Sequence, residues 1–308
     1  MSARRRSAKP AAPKKPAAQA NGLSVVPGRA ADPQTENHPA SWARPQARTI
    51  AIASGKGGVG KSHLAANLAV ALGAAGARVL LVDADFSQAN LDLLLGVHPR
   101  HDVQHVLNGE KTLEEIVVEG PEGVTLVPAA SGVPELADLD DYRFEFLLRS
   151  LGQLEAGADF VVIDTPSGVS KQVTSLCLAA DDVVVVTTPD MPAFSDAYGL
   201  VKVLQARGLK HAPHLLVNMS VSPDEAEETA HRIRLVARRF LRLEIDGWGT
   251  VPLDAAVAHA LRRQEPVVSA YPNSPAANAY RALAARLWSG APPEPTQRVT
   301  YDPHRLEA

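Results

Sequence analysis

Residues 54–62 read Ser-Gly-Lys-Gly-Gly-Val-Gly-Lys-Ser and follow directly on an apolar run, Ile50-Ala51-Ile52-Ala53. Gly55, Gly60, Lys61 and Ser62 fill the four fixed places of the pattern G-x-x-x-x-G-K-[ST]. This is the chemistry of polyphosphate binding. Glycines let backbone N–H groups converge on a phosphate without Cβ clashes. A helix expected over roughly 61–75 would aim its first N–H groups, and its positive dipole end, at the same anion. Lys61 is expected on the β- and γ-phosphates and Ser62 on Mg²⁺.

Acidic residues recur at strand ends. Leu81-Val82-Asp83-Ala84-Asp85 places two carboxylates two residues apart as the chain leaves a strand, where both can face the phosphate site. Either could instead cap a helix N-terminus. Phe160-Val161-Val162-Ile163 runs into Asp164, which can hold Mg²⁺ through water because that ion keeps part of its hydration shell. Gly168 gives the following loop room to move when a γ-phosphate leaves.

The elements that must position these groups alternate. Strands are expected at 49–53, 79–83, 124–127, 160–164, 183–187, 214–218 and 248–251, with helical patterns between them. Runs such as Val183-Val184-Val185-Val186 are apolar throughout, as in strands buried on both faces. The fold class is therefore α/β: a doubly wound, mostly parallel sheet flanked by helices. Ligands of such sheets sit at the carboxyl ends of the strands, where every motif above falls.

Composition sets further bounds. Of the 308 residues 45% are apolar and 5% aromatic, as in a protein with an aliphatic core. The single cysteine, Cys177, excludes a disulfide or a cysteine-based metal site within one chain. No run approaches the length of a membrane span, and no apolar segment backs the N-terminal charges, so cytoplasmic residence is expected. The net charge of −3 is divided unevenly. Residues 1–48 carry nine Lys/Arg and two acids, a net of +7, with seven prolines, which leaves −10 for the rest. That segment reads as a disordered basic arm able to bind nucleic acid, anionic lipid or an acidic partner, or simply to solvate. Residues 49–289 would form the folded domain and 290–308 a polar, Pro-rich tail.

The second lysine of the loop narrows the reading. Gly55-Lys56-Gly57-Gly58-Val59-Gly60-Lys61-Ser62 resembles the deviant Walker A motif of the ParA/MinD ATPases. The resemblance extends over essentially all of 49–288. It implies a P-loop NTPase that binds ATP with Mg²⁺ and forms an ATP-dependent homodimer, with Lys56 reaching the partner's nucleotide. It also implies that Asp85 positions the attacking water, that Asp83 supports Mg²⁺ or Ser62, and that 161–168 are Walker B and switch II. Asn218 and the backbone around Pro252 would contact the base. ATP is favoured because no Asn-Lys-x-Asp segment is present. Catalysis is thereby assigned to Lys56, Lys61 and Asp85, slow until a protein partner stimulates it. One departure is His63, where the family has a small polar residue.

Several stretches, among them Ala89-Asn90-Leu91-Asp92-Leu93-Leu94-Leu95-Gly96 and Arg262-Arg263-Gln264-Glu265-Pro266, resemble the FlhG/FleN regulators of flagellar number. Against that branch, residues 1–48 lack its Asp-Gln-Ala…Leu-Arg motif. The amphipathic stretch 276–288 is expected to pack on the domain rather than bind membrane. This leaves a ParA- or PomZ-like reading on an FlhG-like frame, with the flagellar regulator as the alternative: an ATP dimer on the nucleoid that positions a division site or chromosome locus, using Arg232, Arg234, Arg238, Arg239, Arg242, Arg262 and Arg263 on DNA. Several of these also complement helix dipoles. The lone cysteine argues against an iron–sulfur carrier, the scattered tyrosines against a tyrosine kinase, and the intact Lys56, Lys61, Asp85 and Asp164 against an inactive ATP-binding scaffold.

Overall fold

A computed structural model describes residues 47–86, 88–130, 132 and 139–289. Eight strands form one sheet in the order β3-β4-β2-β5-β1-β6-β7-β8. They are β1 (Arg48–Ser54), β2 (Val79–Asp83), β3 (Val118–Glu119), β4 (Val124–Val127), β5 (Phe160–Ser167), β6 (Asp182–Thr187), β7 (His214–Ser220) and β8 (Asp246–Pro252). All pairings are parallel except that of β3 with β4. The seven strands expected from the sequence are present. The two-residue edge strand β3 has too little pattern to read from sequence.

The helices are α1 (Lys61–Ala74), α2 (Leu91–Leu95), α3 (Val103–Leu107), α4 (Leu113–Ile116), α5 (Asp141–Leu154), α6 (Lys171–Ala179), α7 (Met191–Ala206), α8 (Pro223–Val236), α9 (Ala255–Arg262), α10 (Val267–Ala270) and α11 (Pro275–Ser289). Strand alternation divides the core. Ile50 and Ile52 of β1 face a cluster built with α1 and α11, while Ala51 and Ala53 face α6, α7 and α8 on the other side. A third cluster joins Leu80, Val82, Val161 and Ile163 to Phe144, Leu147 and Leu151 of α5. Parallel strands buried on both faces need such two-sided cover.

The first strand takes in Arg48, one residue before the expected start at 49. Ala47 is buried, and Arg48 opens β1, its Nε 2.6 Å from Asp182 Oδ2 at the start of β6. The remainder of the arm and the tail 290–308 lie outside the described residues. α8 is α-helical to Val236, and Ala237–Leu241 continues it as a π-helical turn. Its last carbonyl, that of Leu241, accepts from Gln205 Nε2 of α7 at 2.7 Å, which ties the widened turn to the domain. The stretch 276–288 packs as expected: Tyr280, Leu283, Ala284 and Leu287 are buried, and Trp288 is half exposed beside Phe160.

Candidate functional site

β1 lies between β5 and β6, so its carboxyl end opens where the chain switches direction across the sheet. The loop 55–60 begins there and turns into α1. Ser54 Oγ donates to the Lys56 carbonyl at 2.7 Å, folding the loop back over its own start. Gly60 stands at φ 89°, a conformation that disfavours any residue with a Cβ, and a Cβ there would lie 2.3 Å from Asn218 Nδ2. No side chain caps α1, so its first N–H groups remain for an anion. Lys61 is 7% exposed at that helix start.

The carboxylates converge on the same end. Asp83 and Asp164 are direct neighbours in the β2–β5 register. Burial holds the Asp164 carboxyl up at about 7, against the Ser62 hydroxyl and Lys61 ammonium, which lower it, while the Asp85 charge raises it. Asp164 is 1% exposed, and neither of its carboxylate oxygens has a hydrogen-bond partner of good geometry. A buried acid with open oxygens beside a lysine and a serine hydroxyl fits a hard divalent cation. Among the described residues no group of three or more His, Cys, Asp or Glu could enclose a metal alone. Mg²⁺ takes one or two protein ligands and fills its shell with water and phosphate oxygens; held by Asp164 and Ser62, it would offset negative charge on the phosphates.

Asp83 is also buried, and burial followed by the Asp164 charge pushes its carboxyl well above the usual range. Three backbone N–H groups oppose that shift: Asp85 donates to Oδ1 at 3.2 Å, and Asn90 and Leu91 donate to Oδ2 at 3.0 and 3.1 Å. The side chain thus organises the loop 84–90 and the start of α2, the capping role open to it from sequence. Asp85 is half buried and near enough to Asp164 for its charge to matter there.

Asn218 Nδ2 donates to the Val59 carbonyl at 2.8 Å in a buried setting, so β7 holds the phosphate loop in place. Met219, next in the chain, adopts φ 58°, and Pro252 ends β8 alongside, with the Leu253 N–H bonded to the Ser220 carbonyl at 2.9 Å. His63 is in the first turn of α1, its basicity lowered by burial.

Lys56 has a partner that the sequence reading missed. Its Nζ is 2.8 Å from Asp190 Oδ1 at the carboxyl end of β6. Asp190 also accepts from the Thr188 hydroxyl and, at 3.0 Å, from the Ala193 N–H as N-cap of α7. Lys56 and these donors hold its carboxyl down at about 2. Position at a strand's carboxyl end was the signal that could have singled it out.

Four of the seven arginines singled out in the sequence have acidic partners: Arg232 pairs with Glu228, Arg234 with Glu227, Arg238 with Glu244 and Arg263 with Glu265. Arg239 lies 5.4 Å over the Phe240 ring.

The family model described as an AAA domain matches residues 47–213, and one described as NUBPL iron-transfer P-loop NTPase matches 145–288. The antiactivator FleN of Pseudomonas aeruginosa is 34% identical over 84% of this chain and 93% of its own length. The flagellum site-determining protein YlxH of Helicobacter pylori is 35% identical over 73% of this chain and 76% of its own. The cell division ATPase MinD of Pyrococcus furiosus superposes with a TM-score of 0.66 at 29% identity, covering 78% of this chain and 98% of that one. MinD of Pyrococcus horikoshii, solved with Mg-ADP, gives 0.66 at 28%, covering 78% and 96%. The loop, the buried carboxylate pair, the sheet order and these matches agree, and the chain belongs to the ParA/MinD family of P-loop ATPases, enzymes that use ATP with Mg²⁺.

Proposed function

We propose that this chain is an ATP-controlled dimerising switch that sets the number or place of a cellular machine. The observation that carries this reading is Lys56: a lysine at the second place of the phosphate loop, held at the surface by an exposed acid rather than turned into its own site. In the dimer it would leave Asp190 and reach the phosphates bound by the partner. Lys61 and the partner subunit's Lys56 would then stabilise charge on the phosphate oxygens, and Asp85 would orient the attacking water. Turnover stays slow until a second protein completes the site. The relatives support a site-determining role: FleN is an antiactivator, YlxH determines a flagellum site, and several MinD relatives determine a septum site. A flagellar regulator is the reading these names favour.

Nucleoid binding is the second reading, supported by the basic segment 1–48 and by Arg239, Arg242 and Arg262, which have no ion pair among the described residues. The paired arginines could still serve, because exposed pairs contribute about 0–1 kcal/mol and exchange readily for phosphate. The two readings separate on plain double-stranded DNA. If about five charges contact phosphates, affinity falls with salt at a log–log slope of about −4 to −5. Absence of ATP-dependent binding in a protein shown to dimerise leaves the flagellar reading. Among the described residues no helix is long and apolar enough to cross a membrane.

A further inference from the structure

Two separate connections run from the phosphate-binding elements to one loop, residues 262–266, which leads from the last residue of α9 to the start of α10; one meets it at Gln264 and the other just beyond it at Val268. The first begins in α1. Asn67 is a buried amide in mid-helix, where asparagine is a poor helix former. Its Nδ2 donates to the His63 carbonyl at 2.8 Å, and its Oδ1 accepts from the Val268 N–H at 3.1 Å. His63 directly follows Ser62, so one rigid amide joins the first turn of α1 to the first turn of α10.

The second begins at Asp83, whose Oδ2 fixes the start of α2 through the Asn90 and Leu91 N–H groups. α2 is short and packed, with Leu91, Leu94 and Leu95 buried. It ends at Gly96, φ 68°, where a Cβ would stand 2.5 Å from the Gln264 carbonyl oxygen. The end of α2 therefore abuts the backbone of the loop. Gln264 itself holds φ 54°, closing α9 with a bond from the Glu265 N–H to the Ala260 carbonyl at 3.2 Å. A left-handed conformation at a non-glycine residue is strained and persists only where its surroundings enforce it.

We propose that the loop 262–266 is a nucleotide-responsive surface, moved by ATP binding through Asn67 and through α2. Both connections end in backbone contacts, and packed interiors shift between discrete arrangements rather than yielding continuously. Arg262 and Arg263 are exposed on this loop, so its setting decides how they meet a partner. The coupling requires only ATP binding, so it does not depend on which partner the switch serves.

Hydrogen–deuterium exchange on the full chain, with and without Mg²⁺ and a non-hydrolysable ATP analogue, tests this. In the wild-type protein, exchange should slow in peptides covering 54–66 and change together with them in peptides covering 258–270. Asn67→Ser, too short to reach Val268, and Gly96→Ala should each keep the first response and diminish the second; combined, they should abolish it. Protection of 54–66 with no change at 258–270 in the wild type overturns the proposal. So does an undiminished response in both single variants, which decides the matter should the double variant not fold. No protection at 54–66 in the wild type would instead refute ATP binding itself.

Discussion

Lys56 and Asp190 are 134 positions apart in sequence, yet their side chains meet at 2.8 Å across the gap between the phosphate loop and the start of α7. The pair is half exposed, 38% for the lysine and 45% for the acid, and so contributes at most about 1 kcal/mol. Releasing Lys56 for a partner's nucleotide is therefore cheap. Asp190→Ser keeps an N-cap on α7 while removing the charge. Each dimer releases two such lysines, so ATP-dependent dimerisation should tighten by up to about thirtyfold in sedimentation equilibrium. Weaker dimerisation would show that Asp190 guides the lysine rather than restraining it.

Asn218 acts on the phosphate loop through the Val59 carbonyl. Losing one buried amide bond costs about 1–1.5 kcal/mol, so Asn218→Ala should weaken nucleotide affinity about tenfold by fluorescent-nucleotide titration. A change in adenine-over-guanine preference without that loss would place the side chain on the base instead.

Asp85→Ala should keep ATP binding and lose phosphate release. Unchanged release by this variant would remove Asp85 from the mechanism.

Asp164 is a buried carboxyl without a hydrogen-bond donor of good geometry, and burial opposes its ionisation, an arrangement that destabilises the nucleotide-free fold. Asp164→Asn should raise the melting temperature of the nucleotide-free protein while lowering affinity for ATP in the presence of Mg²⁺. A lower melting temperature would mean that the carboxylate holds the fold together.

Asp182, at the opposite end of the sheet, behaves in the contrary way. Burial alone would raise its pKa, but hydrogen bonds and charge from His214 and Arg48 bring it from 3.8 down to about 2. A depressed acid stabilises the fold fully above its unfolded value and loses that contribution as pH falls toward about 2. Asp182→Asn should cost about 1–2 kcal/mol at neutral pH, after allowing for partial exposure, and should flatten the loss of stability below about pH 4. Urea denaturation at pH 3 and pH 7 measures both effects. An equal cost at the two values would assign the role to packing.

The phosphate loop, the seven long strands and the acids Asp83, Asp85 and Asp164 were legible in the sequence because each signal is local. Glycine spacing, β-branched runs and strand-end acids need only a few neighbouring residues. Asp190 and Asn67 were not legible, because their significance lies in contacts with Lys56 and Val268 that only the folded chain supplies. Asn218 was found as a residue but not in its contact with the loop. The π-helical turn at Ala237–Leu241 was hidden by a sequence that continues the helical pattern, and it is tied down by Gln205 from another helix. Around α8 the structure adds acidic partners for Arg232, Arg234 and Arg238, which are likewise contacts that only the folded chain supplies.

The most direct measurement of the switch is mass by light scattering with ADP and with ATP, for Asp85→Ala alone and combined with Lys56→Ala. The chain of 32.6 kDa should double in mass with ATP and not with ADP, and the variant lacking Lys56 should stay monomeric while still binding ATP. A monomer under saturating ATP, or a dimer formed equally well without Lys56, would contradict the account.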